Sequence, residues 1–99
     1  MHQTKLERIN QIERQVLVHS YLYYALDTNI ISDPRFDEIM EALLPYKDSP
    51  EFKESAYYKD FIDFDGSTGM DLPYRNPEIV NIGQRLLRIQ QEKRKQGDY

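Results

Sequence analysis

The chain has 99 residues, a net charge of −4, 39% hydrophobic side chains and no cysteine. That is sized for one small domain and excludes disulfides, thiolate zinc sites and cysteine nucleophiles. No apolar run approaches the ~20 residues needed to cross a bilayer and no signal-peptide stretch opens the chain, so a soluble, cytoplasmic product is expected.

Charge is unevenly spread. Residues 33–65 hold ten Asp or Glu against four Lys or Arg, whereas residues 85–95 hold five basic residues and one Glu. The overall acidity argues against duplex nucleic acid as the main partner, because phosphate binding draws on a basic surface. The acidic middle is the better candidate for an interaction surface, although a solvated face would look the same.

The elements read as helices throughout. Thr4-Lys5-Leu6-Glu7 is a capping box, and Leu6, Ile9, Val16, Tyr23 and Leu26 recur near helical spacing, which predicts a helix over 4–27. Residues 27–32 form an apparent loop. Ser32 is the N-cap of a second helix over 33–46, with Pro34 in its first turn and Phe36, Ile39, Met40, Leu43 and Leu44 as its apolar stripe. Pro45 ends it, and Asp48, Ser49 and Pro50 start a short third helix carrying Phe52. Residues 61–75 read as an ordered loop with a short hairpin, anchored by Phe61, Ile62, Phe64, Leu72 and Tyr74. Asn76 and Pro77 then cap a last helix over 77–93, striped by Ile79, Ile82, Leu86 and Ile89, and the tail 97–99 is expected to fray.

The fold class expected is therefore all-α, a small bundle of three to four helices with a helix-turn-helix pair and an irregular loop before the last helix. One domain, 1–99, would comprise the pair over 4–46, a short helix and acidic loop over 47–76, and a C-terminal helix over 77–95. Leu6, Ile9, Val16, Leu26, Ile39, Leu43, Ile82 and Leu86 should be mostly buried.

The densest chemistry lies in residues 23–37, where Tyr23, Tyr24 and Phe36 accompany Asp27, Asp33 and Asp37. Asp33 and Asp37, four apart, project from one helix face with Phe36 beside them. Aromatic faces attract a cation and carboxylates accept from an amide, so the cluster suits a small ligand with a flat, positively charged ring. A structural reading competes: a helix N-terminus favours Asp33 and Asp37 without any ligand, and the aromatics could be the corner of a helical core.

This run resembles the N-terminal (Ia) domain of bacterial NAD-dependent DNA ligases. That pattern is a helix ending in Tyr-(Tyr or His)-x-x-Asp, then x-Pro-x-Ile-(Ser or Pro)-Asp, then two residues, an aromatic and a second Asp. Tyr23, Asp27, Ile31, Ser32, Asp33 and Asp37 match it; Asn29 replaces a proline and Phe36 a tyrosine. The likeness spans about residues 6–46. It implies a free-standing Ia domain without the nucleotidyltransferase domain, gripping the nicotinamide mononucleotide (NMN) half of NAD. Tyr23 and Phe36 would stack on the nicotinamide ring, Asp33 and Asp37 would take its carboxamide and ribose or offset its charge, and Tyr24, where many ligases have histidine, would approach the phosphate. NMN or NAD would then be a ligand, with no cofactor required.

No catalytic set is apparent, so the chain is expected not to be an enzyme. Asp63-Phe64-Asp65-Gly66 has an acid where the ligase Lys-x-Asp-Gly motif has its nucleophile, and Gly66-Ser67-Thr68-Gly69 lacks the end of a phosphate loop. Asp63, Asp65 and Ser67 begin like a calcium loop, but Thr68 and Tyr74 stand where glycine and Glu belong. His2 and His19 have no partner at metal-site spacing, so no metal is expected.

Eight tyrosines are too many for so small a core, and tyrosine is enriched at interfaces. Tyr57 and Tyr58, with Asp60, Asp63 and Asp65, are the candidate partner-binding residues. The leading functional expectation is a non-catalytic protein-binding module, a phage or mobile-element accessory protein that binds or inhibits a host or defence enzyme, NAD-handling enzymes included. The alternative is a stand-alone NMN- or NAD-binding module linked to ligation or NAD metabolism. No membrane partner is expected, and the oligomeric state is open.

Overall fold

The computed structural model describes residues 3–28, 30–67 and 69–96, with 94–96 described by their backbone alone. Asn29, Thr68, His2 and the tail 97–99, all weighed above, lie outside the described residues.

Thr4 opens the first helix as a capping box: its Oγ1 accepts from Glu7 N–H at 3.1 Å, and Glu7 Oε1 accepts from Thr4 N–H at 2.9 Å. α1 follows over Lys5–Ser20. The α-helix does not run on to residue 27. Its backbone widens into a π-turn over Tyr21–Ala25, where Leu26 N–H donates to Tyr21 C=O five residues back. Thr28 N–H then closes onto Leu22 C=O at 2.9 Å, and Asp27 takes a left-handed φ of 50°, which aspartate tolerates better than most residues.

The π-turn corrects one burial expectation. It fits an extra residue into the turn, so the apolar stripe slips out of its 3.6-residue register. Leu22 turns into the core at 1% exposure, whereas Leu26 is turned out at 38%.

α2 spans Asp33–Ala42, with Ser32 Oγ accepting from Arg35 N–H at 3.2 Å, a cap worth about 1 kcal/mol. It stops four residues short of the expected end because Pro45, lacking an N–H, cannot continue the ladder. The chain tightens into a 3₁₀ turn over Leu44–Asp48 and a second over Pro50–Glu54, which takes the place of the expected third helix. A one-turn α3, Tyr58–Phe61, follows. No strand occurs among the described residues, and turns replace the hairpin expected within 61–75. The reason is local: Gly66 at φ 84° reverses the chain, and the remaining stretch is too short to pair. α4 runs over Pro77–Gln96, and Asn76 Oδ1 accepts from Glu78 N–H at 2.9 Å.

α1 is the central element, with α2, α4 and the second 3₁₀ turn all packed on it. The core cluster joins Ile9, Ile12, Val16 and Leu17 of α1 with Phe36, Ile39 and Met40 of α2, and Leu22, Leu43, Phe52, Phe61, Phe64 and Ile79 belong to it as well. Of the positions expected inside, Ile9, Val16, Ile39 and Leu43 are buried, while Leu6, Ile82 and Leu86 are half-buried. The result is the all-α bundle that the periodicity implied.

Two polar side chains of α1 pin the segment after the second 3₁₀ turn. Asn10 Oδ1 accepts from Ala56 N–H at 2.8 Å. Glu13, 0% exposed, accepts from Ser55 Oγ at 2.8 Å and from Tyr57 N–H at 3.2 Å. Burial raises the Glu13 pKa despite both hydrogen bonds, with Asp60 adding to the rise. The ionised form is therefore disfavoured in the folded state, and stability is lost as pH climbs from the ordinary 4.5 through the raised value. His19, whose pKa is lowered by burial and by Arg35, acts with the opposite sign below 6.5. Comparing unfolding free energies of wild type and Glu13→Gln across pH isolates the first effect: the variant should gain on wild type as pH rises above about 4.5. A difference that does not vary with pH would contradict this.

On the other side of α1, Gly83 brings α4 against the π-turn. A Cβ at Gly83 would lie 2.6 Å from Tyr21 Cδ2, and Gln84 Nε2 donates to Tyr21 Oη at 3.3 Å. At an open helical position Gly→Ala stabilises by roughly 0.5–1 kcal/mol. Here the overlap should reverse the sign, so Gly83→Ala is expected to lose about 1–3 kcal/mol in denaturant unfolding. A gain would show that the contact is absent.

Candidate functional site

The corner between the π-turn and α2 gathers the residues singled out in the sequence. Tyr23 and Tyr24 come from the π-turn; Asp33, Phe36 and Asp37 come from the first two turns of α2. With Met40 and Ser67 they line one cleft of about 200 Å³. All five predicted ligand-contacting residues thus surround a single cavity.

The aromatic wall is built in layers. The Tyr23 and Tyr24 rings meet edge to face with centroids 4.9 Å apart. Tyr23 also lies against Phe36 at 5.9 Å and 42°. Tyr23 and Phe36 therefore touch each other, and a flat ligand can rest on them from the cleft side but not between them. Tyr23 is 37% exposed and Phe36 6%, so Phe36 is both cleft wall and core. Behind Phe36 the His19 ring sits at 6.3 Å. Burial and the Arg35 charge lower the His19 pKa, which keeps the imidazole neutral near pH 7.

Asp33 and Asp37 are exposed, one turn apart on α2. The helix N-terminus favours their negative charge, and together they make the cleft mouth acidic. The opposite side of the corner is buttressed by the chain's second half: Tyr74 stacks on Tyr24 at 5.9 Å and 29°, and the Arg75 guanidinium lies 5.8 Å from the Tyr74 ring centre.

A second cleft, of about 370 Å³, is lined by Asp60, Asp63, Asp65 and Asp71 together with Phe64, Ser67 and Leu72. Three of the predicted partner-binding residues meet there. Tyr57 and Tyr58 do not; with Asp60 they border a neighbouring depression of about 330 Å³. Both are half-buried and engaged internally. The Tyr57 hydroxyl donates to the Glu78 carboxylate, and its pKa is pushed up to about 12 by burial and by Glu78. Tyr58 packs edge-on against Phe52 at 5.1 Å. Among the described residues no three His, Cys, Asp or Glu side chains converge as a metal cluster, and no helix is long and apolar enough to cross a membrane.

Three residues at the site escaped the sequence reading. Met40 reads by its spacing only as part of the α2 stripe, and it serves both stripe and cleft. Ser67 and Tyr74 reach the corner from thirty or more positions beyond Asp37. Only the turn signal at Asp65-Gly66-Ser67 hinted at a defined loop, and nothing local pointed it at α2.

The family model described as DNA ligase-like, N-terminal NAD+-binding domain matches residues 2–55. The match takes in α1, the π-turn, α2 and both 3₁₀ turns, and with them all five corner residues. Neither a curated protein nor a solved structure matches the chain. With more than half of its length covered and the motif residues gathered around one cleft, the chain belongs to the DNA ligase-like N-terminal NAD+-binding domain family.

Proposed function

We propose that this chain binds the NMN half of NAD at the corner cleft and presents its pyrophosphate to a nucleotidyltransferase domain, in the same polypeptide or a separate one. The observation that carries this reading is the convergence of Tyr23, Tyr24, Asp33, Phe36 and Asp37 on one cavity. The nicotinamide ring lies on the Tyr23 face, with the Phe36 edge below it. Asp33 and Asp37 offset the pyridinium charge and accept from the carboxamide and ribose hydroxyls. Tyr24 lies toward the phosphate. The chain binds and orients; the group that attacks phosphorus belongs to the partner domain.

At about 200 Å³ the cleft is smaller than sites that enclose a drug-sized ligand. It holds the nicotinamide and part of the ribose and leaves the adenylate half outside, so affinity is weak, with Kd on the order of 0.1–1 mM.

A second reading, capture of a partner protein by the acidic face, is favoured by the four aspartates around the larger cleft. On that reading Asp60, Asp63 and Asp65 carry the contact, and Tyr57 and Tyr58 contribute little because both are engaged internally.

Calorimetric titration with NMN and, separately, AMP tests the first reading. NMN should bind and AMP should not, and Asp33→Asn or Asp37→Asn should each weaken NMN about 5- to 20-fold with the fold intact. Phe36→Ala is unsuitable as a probe, since truncating that buried ring costs about 3–5 kcal/mol of stability. Equal heats for NMN and AMP would reject the proposal.

A further inference from the structure

Ser67 stands at the cleft with Asp33 and Asp37 but comes from a loop outside residues 2–55. The loop is held in place at both ends. The Lys47 ammonium donates to Ile62 C=O at 3.0 Å and to Phe64 C=O. Gly66, at φ 84°, rests on the Leu44 side chain, which a Cβ would meet at 3.0 Å. Past the cleft, Gly69 lies so close to Ser20 that a Cβ would fall 2.0 Å from its Oγ, and Tyr74 stacks on Tyr24. These contacts place Ser67 at the mouth of the cleft.

Its hydrogen-bonding polarity is also fixed. Ser67 N–H and Ser67 Oγ both donate to Asp65 Oδ1, at 2.9 and 2.6 Å. Those bonds, the hydroxyl's first, hold the Asp65 carboxyl below its ordinary value, so it is ionised and can only accept. The single hydroxyl hydrogen of Ser67 is therefore committed to Asp65, and only its lone pairs are left for the cleft. Among the described residues, the polar side chains that α2 and this loop present at the cleft, Asp33, Asp37 and Ser67, then offer acceptors.

We propose that Ser67 reads the amide end of nicotinamide, accepting from the carboxamide N–H and making the cleft selective for nicotinamide mononucleotide over nicotinic acid mononucleotide. This rests on the NMN reading above. The acid form carries a carboxylate in place of the amide; it has no hydrogen to offer Ser67 and meets the charges of Asp33, Asp37 and Asp65. An unmet acceptor facing a like charge is where discrimination is largest.

Titrating wild type, Ser67→Ala, Asp65→Ala and the double variant with each mononucleotide tests it. Wild type should prefer NMN by about 10-fold or more. Ser67→Ala should weaken NMN about 3- to 10-fold without weakening the acid form, which no longer faces an unmet acceptor, and so narrow the ratio. Asp65→Ala frees the hydroxyl hydrogen to turn into the cleft and should narrow the ratio by strengthening the acid form. Most of that gain should be lost in the Ser67→Ala background, where only the removed Asp65 charge remains to act. NMN binding with the ratio unchanged in Ser67→Ala, or an Asp65→Ala effect undiminished without Ser67, would overturn this inference and leave the NMN reading standing. Wild type that binds neither mononucleotide would overturn both.

Discussion

Gly83 lets the backbone of α4 come against the Tyr21 ring, and that approach holds the π-turn in which the aromatic half of the cleft is carried. A π-turn is a less favourable way to pair backbone groups than the α-helix it interrupts and persists where tertiary contacts hold it. Here they come from two sides: α4 at Gly83 with the Gln84 hydrogen bond to Tyr21, and the loop at Gly69 against Ser20. The extra residue in the turn rotates Leu22 inward and Leu26 outward, and it sets Tyr23 and Tyr24 opposite Asp33 and Asp37. Continued as a plain α-helix, the same residues would present a different face to α2.

The segment outside the family match is therefore part of the site. Residues 2–55 supply the five motif side chains, but Ser67 completes the cleft wall and Tyr74 backs Tyr24. Polar contacts among the described residues help to join the halves. Lys47 caps two carbonyls at the turn after α3, and Asn10 and Glu13 take the donors of residues 55–57. Glu13 is the costly member, because burial opposes its ionisation. Its two donors bring the chain back onto α1, so that the loop beyond can reach the corner.

How much of this could be read from the sequence divides by range. Caps and helix starts were legible, since Thr4, Ser32 and Asn76 act on residues two or three away. The corner's membership was legible too, because spacing alone puts Asp33, Phe36 and Asp37 on one side of α2. The π-turn was not: its signature is a shift in register that tertiary contacts impose, and Leu26 still fits a helical stripe on paper. The C-terminal end of α2 was not legible, because apolar spacing continues through Leu43 and Leu44 while Pro45 has already stopped the backbone. Ser67 and Tyr74 were invisible for the same reason as the π-turn, since a loop's composition says that it bends and not where it lands.

The central claim is that this π-turn corner is a nicotinamide site, and amide-resolved NMR during an NMN titration tests it most directly. Shifts should cluster at Tyr23, Tyr24, Asp33, Phe36 and Asp37 and extend across the sequence gap to Ser67, while Arg88 and Ile89 toward the far end of α4 stay silent. A flat titration at millimolar NMN, or shifts confined to the groove between α1 and α4 around Gln15 and Leu86, would contradict it.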